Sequence, residues 1–187
     1  MRLSGTIPRG SPFSSDLSIT DIVKGLHIVP EFLGNRAPLA DPQARAVIAG
    51  LGLDADELSL VRLYLAGLAS IGYGLRQILD ALRAKGIAIT TVVVSGGAAR
   101  SRLVRQMLAD AAGIAIATVD TDEPVLLGAA ILGAVAAGHV PSLESAMCRM
   151  SNLGESIGPD LSAQDIHAKR YRTFLDLQDT YRGMRDH

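Results

Sequence analysis

Residues 91–101 read TVVVSGGAARS, and about twenty residues further on residues 122–138 read DEPVLLGAAILGAVAAG. The first stretch is a β-branched run that stops at two adjacent glycines, Gly96 and Gly97, and passes into a helical pattern. A strand that ends on paired glycines lets another group approach the backbone, because no Cβ stands in the way. The helix that follows starts with unpaired N–H groups, which suit an anionic or polar ligand. The second stretch opens with acidic residues and Pro124, then runs as an Ala- and Gly-rich helix able to pack closely on its neighbours. Together they read as half of a nucleotide pocket. A tight turn that serves packing alone stays open as the alternative.

What surrounds these stretches narrows the class. The 187 residues suffice for one domain with a core and fall short of two comfortable ones. A net charge of −1, with 18 basic and 19 acidic residues interspersed, gives no electrostatic case for nucleic acid or an anionic membrane. Cys148 stands alone, which excludes a disulfide framework and fits a reducing, cytoplasmic setting. The opening residues contain Arg2 and Arg9 but no apolar run, so they are not a signal peptide. The apolar stretch 124–137 is shorter than the roughly 18 residues a membrane span requires, so it reads as a buried helix.

Residues 1 to about 25 are rich in Ser, Pro and Gly and read as a loosely held arm or an opened loop, ahead of a domain over 26–187. Residues 26–33 suit a short extended segment, with Pro30 arguing against a central strand, and 34–42 (GNRAPLADP) are turn chemistry. From Asp56 to about Lys85, Leu58, Val61, Leu65, Leu68, Ile71, Leu75, Ile78, Leu79 and Leu82 repeat at helical spacing. Gly67, Gly72 and Gly74 would weaken that helix, so close packing is their expected reason, and Gly86 marks its end. A strand over 91–95, a helix over 101–112, a strand over 114–119 and a helix over 123–137 follow, with a last helix from about 163 to 182. Strands alternating with helices indicate an α/β layer structure.

Asp120 closes the second strand at a distance that suits a dinucleotide fold, but the glycines are adjacent where that motif needs G-x-G-x-x-G, with Ser101 in the sixth position. A P-loop would need Gly-Lys-Ser/Thr, which is absent. Asp120, Asp122 and Glu123 suit a helix start better than a metal cluster, with Thr121 or Asp122 as the cap. The four histidines are scattered without ligand spacing, and no metal site is expected. Cys148 lies in a Met-rich amphipathic stretch, where a small buried hydrophobe is the usual reading. Asn35 and Arg36 suit the wall of a cleft as well as they suit a solvated or capping loop.

At these residues the chain resembles the C-terminal domain of the FGGY carbohydrate kinases. The family pattern of strand, Gly-Gly-x-x-x-Ser/Asn, helix, strand and Glu-x-x-x-Leu-Gly-Ala-Ala is matched by Gly96, Gly97, Ser101, Glu123, Leu127, Gly128, Ala129 and Ala130. The segments HIVPEFLGNRAPLADP, LYLAGLASIGYGLRQILDAL and MCRMSNLGESIGPD are similar to text of the D-ribulokinase and ribitol-kinase-like branch. The resemblance implies the actin-like (ribonuclease H-like) α/β fold of sugar kinases, here a partial C-terminal domain with extra helices. It implies that Gly96, Gly97 and Ser101, with Ala98 adjacent, line the adenine side of an ATP pocket that Gly128 lets the next helix approach.

The same resemblance implies transfer of the ATP γ-phosphoryl, with Mg²⁺, to a primary hydroxyl of a small sugar or polyol. Family members are more than twice this length. Their N-terminal domain supplies most sugar contacts and the general-base Asp, and nothing here corresponds to it. The expected partners are therefore ATP, a sugar or polyol, and either an N-terminal kinase part or a second copy. A chain of this kind is expected to be silent alone. A non-catalytic remnant or a nucleotide-binding module is the alternative.

Overall fold

The computed structural model describes residues 19–185. The longest element forms where the apolar repeat predicts it. Helix α2 (Glu57–Ala84) opens at Asp56, whose carboxylate accepts the Ser59 N–H at 2.8 Å, and it closes ahead of Gly86, whose φ of +79° few other residues adopt. Helix α1 (Ile19–Ile22) and strand β1 (His27–Val29) precede it, and β1 pairs antiparallel with β2 (Val47–Ala49). Strand β1 stops before Pro30, as a residue without an N–H requires.

Strand β3 (Thr91–Val94) runs into the short helix α3 (Gly97–Arg100) and then α4 (Arg102–Ala112). Ser101 caps α4 by accepting the Val104 N–H at 3.4 Å, and Gly113 ends it in the left-handed region. Strand β4 (Ala115–Val119) returns parallel to β3, with Thr91 opposite Ala115 and Val94 opposite Thr118. Helices α5 (Pro124–Ala136) and α6 (Leu143–Met150) lead to β5 (Leu153–Ile157), antiparallel to β4. A 3-10 turn (Leu161–Ala163) then introduces α7 (Gln164–Arg185). The sheet order is β3-β4-β5, so β3 is an edge strand among the described residues.

The main core gathers Ile22, Val29, Leu65, Ala69, Tyr73, Met107, Ala111 and Phe174 from α1, β1, α2, α4 and α7, with Val23 from the turn after α1. Helices α2 and α4 meet at Gly72, where an added Cβ would lie 2.5 Å from the Ala111 Cβ. Close packing thus explains Gly72. It does not explain Gly67 and Gly74, where an added Cβ would meet nothing. A second cluster packs Leu79, Leu108, Ala109, Ile114 and Ile116 against Val92 and Val94, seating α2 and α4 on one sheet face.

Several expectations are corrected. Residues 19–25 are not a loose arm, because Ile22 and Val23 are buried and the Arg170 guanidinium donates to the carbonyls of Val23 at 3.0 Å and Leu26 at 2.6 Å. The rest of that expectation, on residues 1–18, lies outside the described residues. Helix α5 is not buried. Ile131 is its sole buried residue, while Val125 is 81% and Leu126 65% exposed. Its partner is α6, through Ile131 and Ala146, rather than the sheet. Cys148 is exposed, because α6 turns Ala146 inward and residues two apart on a helix face away from each other. Helix α2 is by length and composition apolar enough to cross a membrane, and a third of its most apolar window is buried here. It packs on α4, β1 and α7.

Candidate functional site

The Gly-Gly turn exists because β3 has to stop and reverse. Gly96 takes φ +70° and ψ −148°, a conformation that a side chain disfavours, and Gly97 begins α3 with open space where its Cβ would be. The turn lies at the carboxyl end of β3, beside the carboxyl end of its parallel neighbour β4. That is where ligands enter open α/β sheets.

A cleft of about 210 Å³ opens there. Val94, Ser95, Gly96, Ala99 and Arg100 form one wall, and Thr118, Val119, Thr121, Asp122 and Pro124 form the other. Arg105 of α4 and Glu155 of β5 complete the lining. Their pairing sets the local electrostatics. Arg105 Nη2 donates to Glu155 Oε2 at 2.8 Å, and Arg102 Nη1 donates to Oε1 at 2.9 Å. The Arg105 hydrogen bond, with the charges of Arg105 and Arg102 behind it, holds the Glu155 carboxyl below its usual pKa. Arg105 is only 7% exposed, and its Nε and Nη1 are buried without a hydrogen-bond partner. The pair bridges α4 and β5 across the floor of the cleft, and the two unpartnered donors make it costly to break by removing Glu155 alone.

Of the residues expected at the site, Gly96 lines the cleft, while Gly97 and Ala98 form the start of α3 beside it. Ser101 serves as the α4 cap. Gly128 faces open space in α5 and is not part of the lining, so the close helix approach expected from it is not made. Asn35 and Arg36 belong to a separate loop. Asn35 pairs backbone to backbone with Asp41, donates its side-chain amide to buried Glu31 and accepts the Leu39 N–H at 3.1 Å, while Arg36 is exposed. The cap of α5 also differs: Glu123 holds the N-cap position without a side-chain cap bond, and Thr121 Oγ1 accepts the Glu123 N–H at 3.2 Å. Its proline at the first helical position needs no such bond.

Arg105, Thr118 and Glu155 were missed. Arg105 sits in the first turn of α4 in an ordinary amphipathic pattern, and its acid partner lies 50 residues away in a strand without alternation. No local signal joins them. A second polar cluster lies outside the cleft lining. Buried His167 pairs through Nδ1 with the Tyr73 hydroxyl at 2.9 Å, and burial holds its pKa below the ordinary value. It stitches α7 to α2. Among the described residues, no three His, Cys, Asp or Glu side chains gather as a metal site would require.

Comparison with known proteins agrees with this geometry. The model of the FGGY family of carbohydrate kinases, C-terminal domain, matches residues 14–137. An FGGY carbohydrate kinase domain-containing protein of Homo sapiens is 40% identical over 152 residues, which are 81% of this chain and 28% of that protein. A D-ribulokinase of Saccharomyces cerevisiae is 35% identical over 120 residues, 64% of this chain and 17% of the relative. The chain thus spans under a third of the length of the curated relatives it matches. Among solved structures, a xylulose kinase from Brucella ovis superposes with a TM-score of 0.72 at 25% identity, covering 86% of this chain and 32% of that one. A glycerol kinase of Plasmodium falciparum, solved with ADP, gives 0.63 at 24% identity, covering 86% and 33%, and so bears on the fold alone. With an actin-like α/β fold shared with sugar kinases and a family match across more than half of its length, the chain belongs to the FGGY family of carbohydrate kinases and carries C-terminal domain sequence of that family.

Proposed function

We propose that this chain is the adenosine-binding, C-terminal part of an ATP-dependent kinase acting on a pentulose or pentitol such as D-ribulose. The observation that carries the reading is the Gly96–Gly97 turn at the carboxyl end of β3, opening on the cleft it shares with β4. A turn without side chains lets the flat face and ribose of a nucleoside lie against backbone. Gly96, Gly97, Ala98 and Ser101 are its contacts. Gly128 has a lesser part, since α5 would have to move to bring it close. The yeast D-ribulokinase supports the pentulose branch, and the match to the carbohydrate kinase family supports a nucleotide as phosphoryl donor.

Phosphoryl transfer is mostly positioning and charge stabilisation, with a carboxylate taking the hydroxyl proton and Mg²⁺ offsetting phosphate charge. Among the described residues no three His, Cys, Asp or Glu side chains form a metal cage, and Glu155 is occupied by two arginines. None of the described residues is therefore assigned as general base or metal ligand. Those groups belong to an N-terminal kinase part, and the chain by itself turns nothing over. A cytoplasmic location belongs to the same reading. A second reading, a non-catalytic remnant, draws on the apolar face that α2 leaves open through Leu60, Tyr64 and Ile71.

Titration with ATP and with NAD separates the nucleotide classes: ATP binding is expected, and tight NAD binding would sink the kinase reading. A coupled ADP-release assay on D-ribulose, ribitol and xylulose should show no turnover by the chain alone. Turnover should appear when the N-terminal part of a related pentulose kinase is supplied. No turnover with that part present, alongside intact ATP binding, would favour the remnant.

A further inference from the structure

We infer that Arg105 reads the ligand in the cleft: its guanidinium donates to a neutral acceptor of the nucleoside, a ring nitrogen or a ribose oxygen, and not to a phosphate. The inference rests on the nucleotide reading above and names the side chain that recognises the nucleoside there. Buried polar groups in folded proteins find partners, so one left without calls for a reason. Among the described residues three buried side-chain donors lack a partner, and two of them, Nε and Nη1, belong to Arg105. The third, Arg170 Nε, sits on a guanidinium whose other nitrogens hold the carbonyls of Val23 and Leu26, outside the cleft lining. Arg105 is nine-tenths buried and lines the cleft beside Gly96.

Structure alone does not call for a guanidinium at this position. An aliphatic side chain would fill the floor without stranding donors, and Arg102 by itself would still hold Glu155. Glu155 is the movable half of the pair. Its side chain is 47% exposed against 8% for Arg105, and Arg102 keeps its other oxygen. An acceptor that enters the cleft therefore meets the guanidinium by edging Glu155 aside on its Arg102 bond, while Arg105 stays seated. The charge of the lining selects the acceptor. Arg100 and Arg105 stand there with Asp122 and Glu155, two positive groups against two negative. A phosphate would gain no net attraction and would meet both carboxylates, whereas a neutral acceptor escapes that repulsion and still takes a charge-assisted hydrogen bond.

Calorimetric titration of the 187-residue chain and of Arg105→Lys with adenosine, ADP and ATP tests this. Lysine keeps a positive charge beside Glu155 but loses the planar donors. The variant should bind all three ligands about tenfold or more weakly, as loss of a hydrogen bond from a charged donor implies, and far-UV circular dichroism checks its fold. A second readout needs no variant. In the wild type, saturating adenosine should shift the Arg105 Nε–H resonance, assigned through bonds, and slow its exchange with water; a residue that only supports the floor would show neither. A folded Arg105→Lys that binds all three ligands as the wild type does would overturn this inference and leave the nucleotide reading standing. So would a loss seen with ADP and ATP but not with adenosine, which would assign the guanidinium to phosphate. An Nε–H resonance that adenosine leaves unmoved would overturn it as well. A wild-type chain that binds none of the three would overturn the nucleotide reading and this inference with it.

Discussion

Substituting the two adjacent glycines separately divides the turn's structural duty from its proposed binding duty. Gly96 holds φ +70° and ψ −148°, so Gly96→Val forces a branched side chain into a backbone region that costs about 1–3 kcal/mol. For a domain of this size that lowers the melting temperature by about 2–4 °C per kcal/mol. Gly97 is the first residue of α3, and an added Cβ there meets no atom within 4 Å. Gly97→Val should therefore stay within about 0.5 kcal/mol of wild type, since helical Val is slightly favoured over Gly and no contact is lost. The valine would instead stand where the adenosine is proposed to lie, and ATP affinity should fall at least about tenfold, or about 1.4 kcal/mol. Thermal melts and calorimetric ATP titration of both variants supply the readouts. If Gly97→Val binds ATP as wild type does, the turn is not the nucleotide contact. If it melts as early as Gly96→Val, the open space above it is occupied, and the geometric argument fails with it.

Three further outcomes follow from the packing. Gly72→Ala should lose about 1–3 kcal/mol by driving a methyl into Ala111, whereas Gly74→Ala on the same helix should gain about 0.5–1 kcal/mol; urea denaturation of the pair checks the contrast. Glu155→Gln removes the charge that pairs with nearly buried Arg105 and should lower stability modestly, since Glu155 itself is half exposed and screened by solvent; salt-dependent melts test it. His167 is held neutral by burial, so its folded pKa lies below the ordinary 6.5. The unfolded chain then binds the proton first, and stability should decline as pH falls below about 6.5, by at most about 1.4 kcal/mol per unit, a slope that His167→Gln should flatten.

The order of elements was legible because each carries its own local signal. Asp56 and Gly86 bracket an apolar repeat of helical period, and paired glycines stop a β-branched run, so α2 and β3 could be placed within a residue or two. What failed was burial. Periodicity reports which residues could face a core, not whether a core is there to meet them. Helix α5 is apolar on all sides, so it presents no face to choose, and in the fold it packs on α6 through buried Ile131 with Leu127, Ala134 and Val135 partly buried beside it. Gly67 and Gly74 match the chemistry of Gly72, yet only Gly72 has a helix above it. Residues 19–25 failed in the opposite direction, because the Arg170 bonds that hold them come from more than 140 residues away.

The candidate site divides along the same line. Gly96 was readable since a backbone conformation writes itself into one residue type, and only glycine meets φ +70° without strain. Arg105 and Glu155 were not, because an ion pair is a relation between two positions and either residue alone looks like ordinary surface charge. Their pairing matters to the turn through Ser101. That residue caps α4 one turn ahead of Arg105, and Arg102 and Arg105 both hold Glu155, so the start of the helix is tied to β5 at two points. The turn that Gly96 permits is thus fixed on one side by the β3 ladder and on the other by this clamp. Loosening the clamp should shift the turn without touching it. Glu155→Gln should therefore weaken ATP binding more than its modest loss of stability would by itself, whereas a variant of equal stability loss at His167, which is not part of the cleft lining, should leave the affinity unchanged. Equal affinities in the two variants would mean that the turn keeps its shape without the clamp.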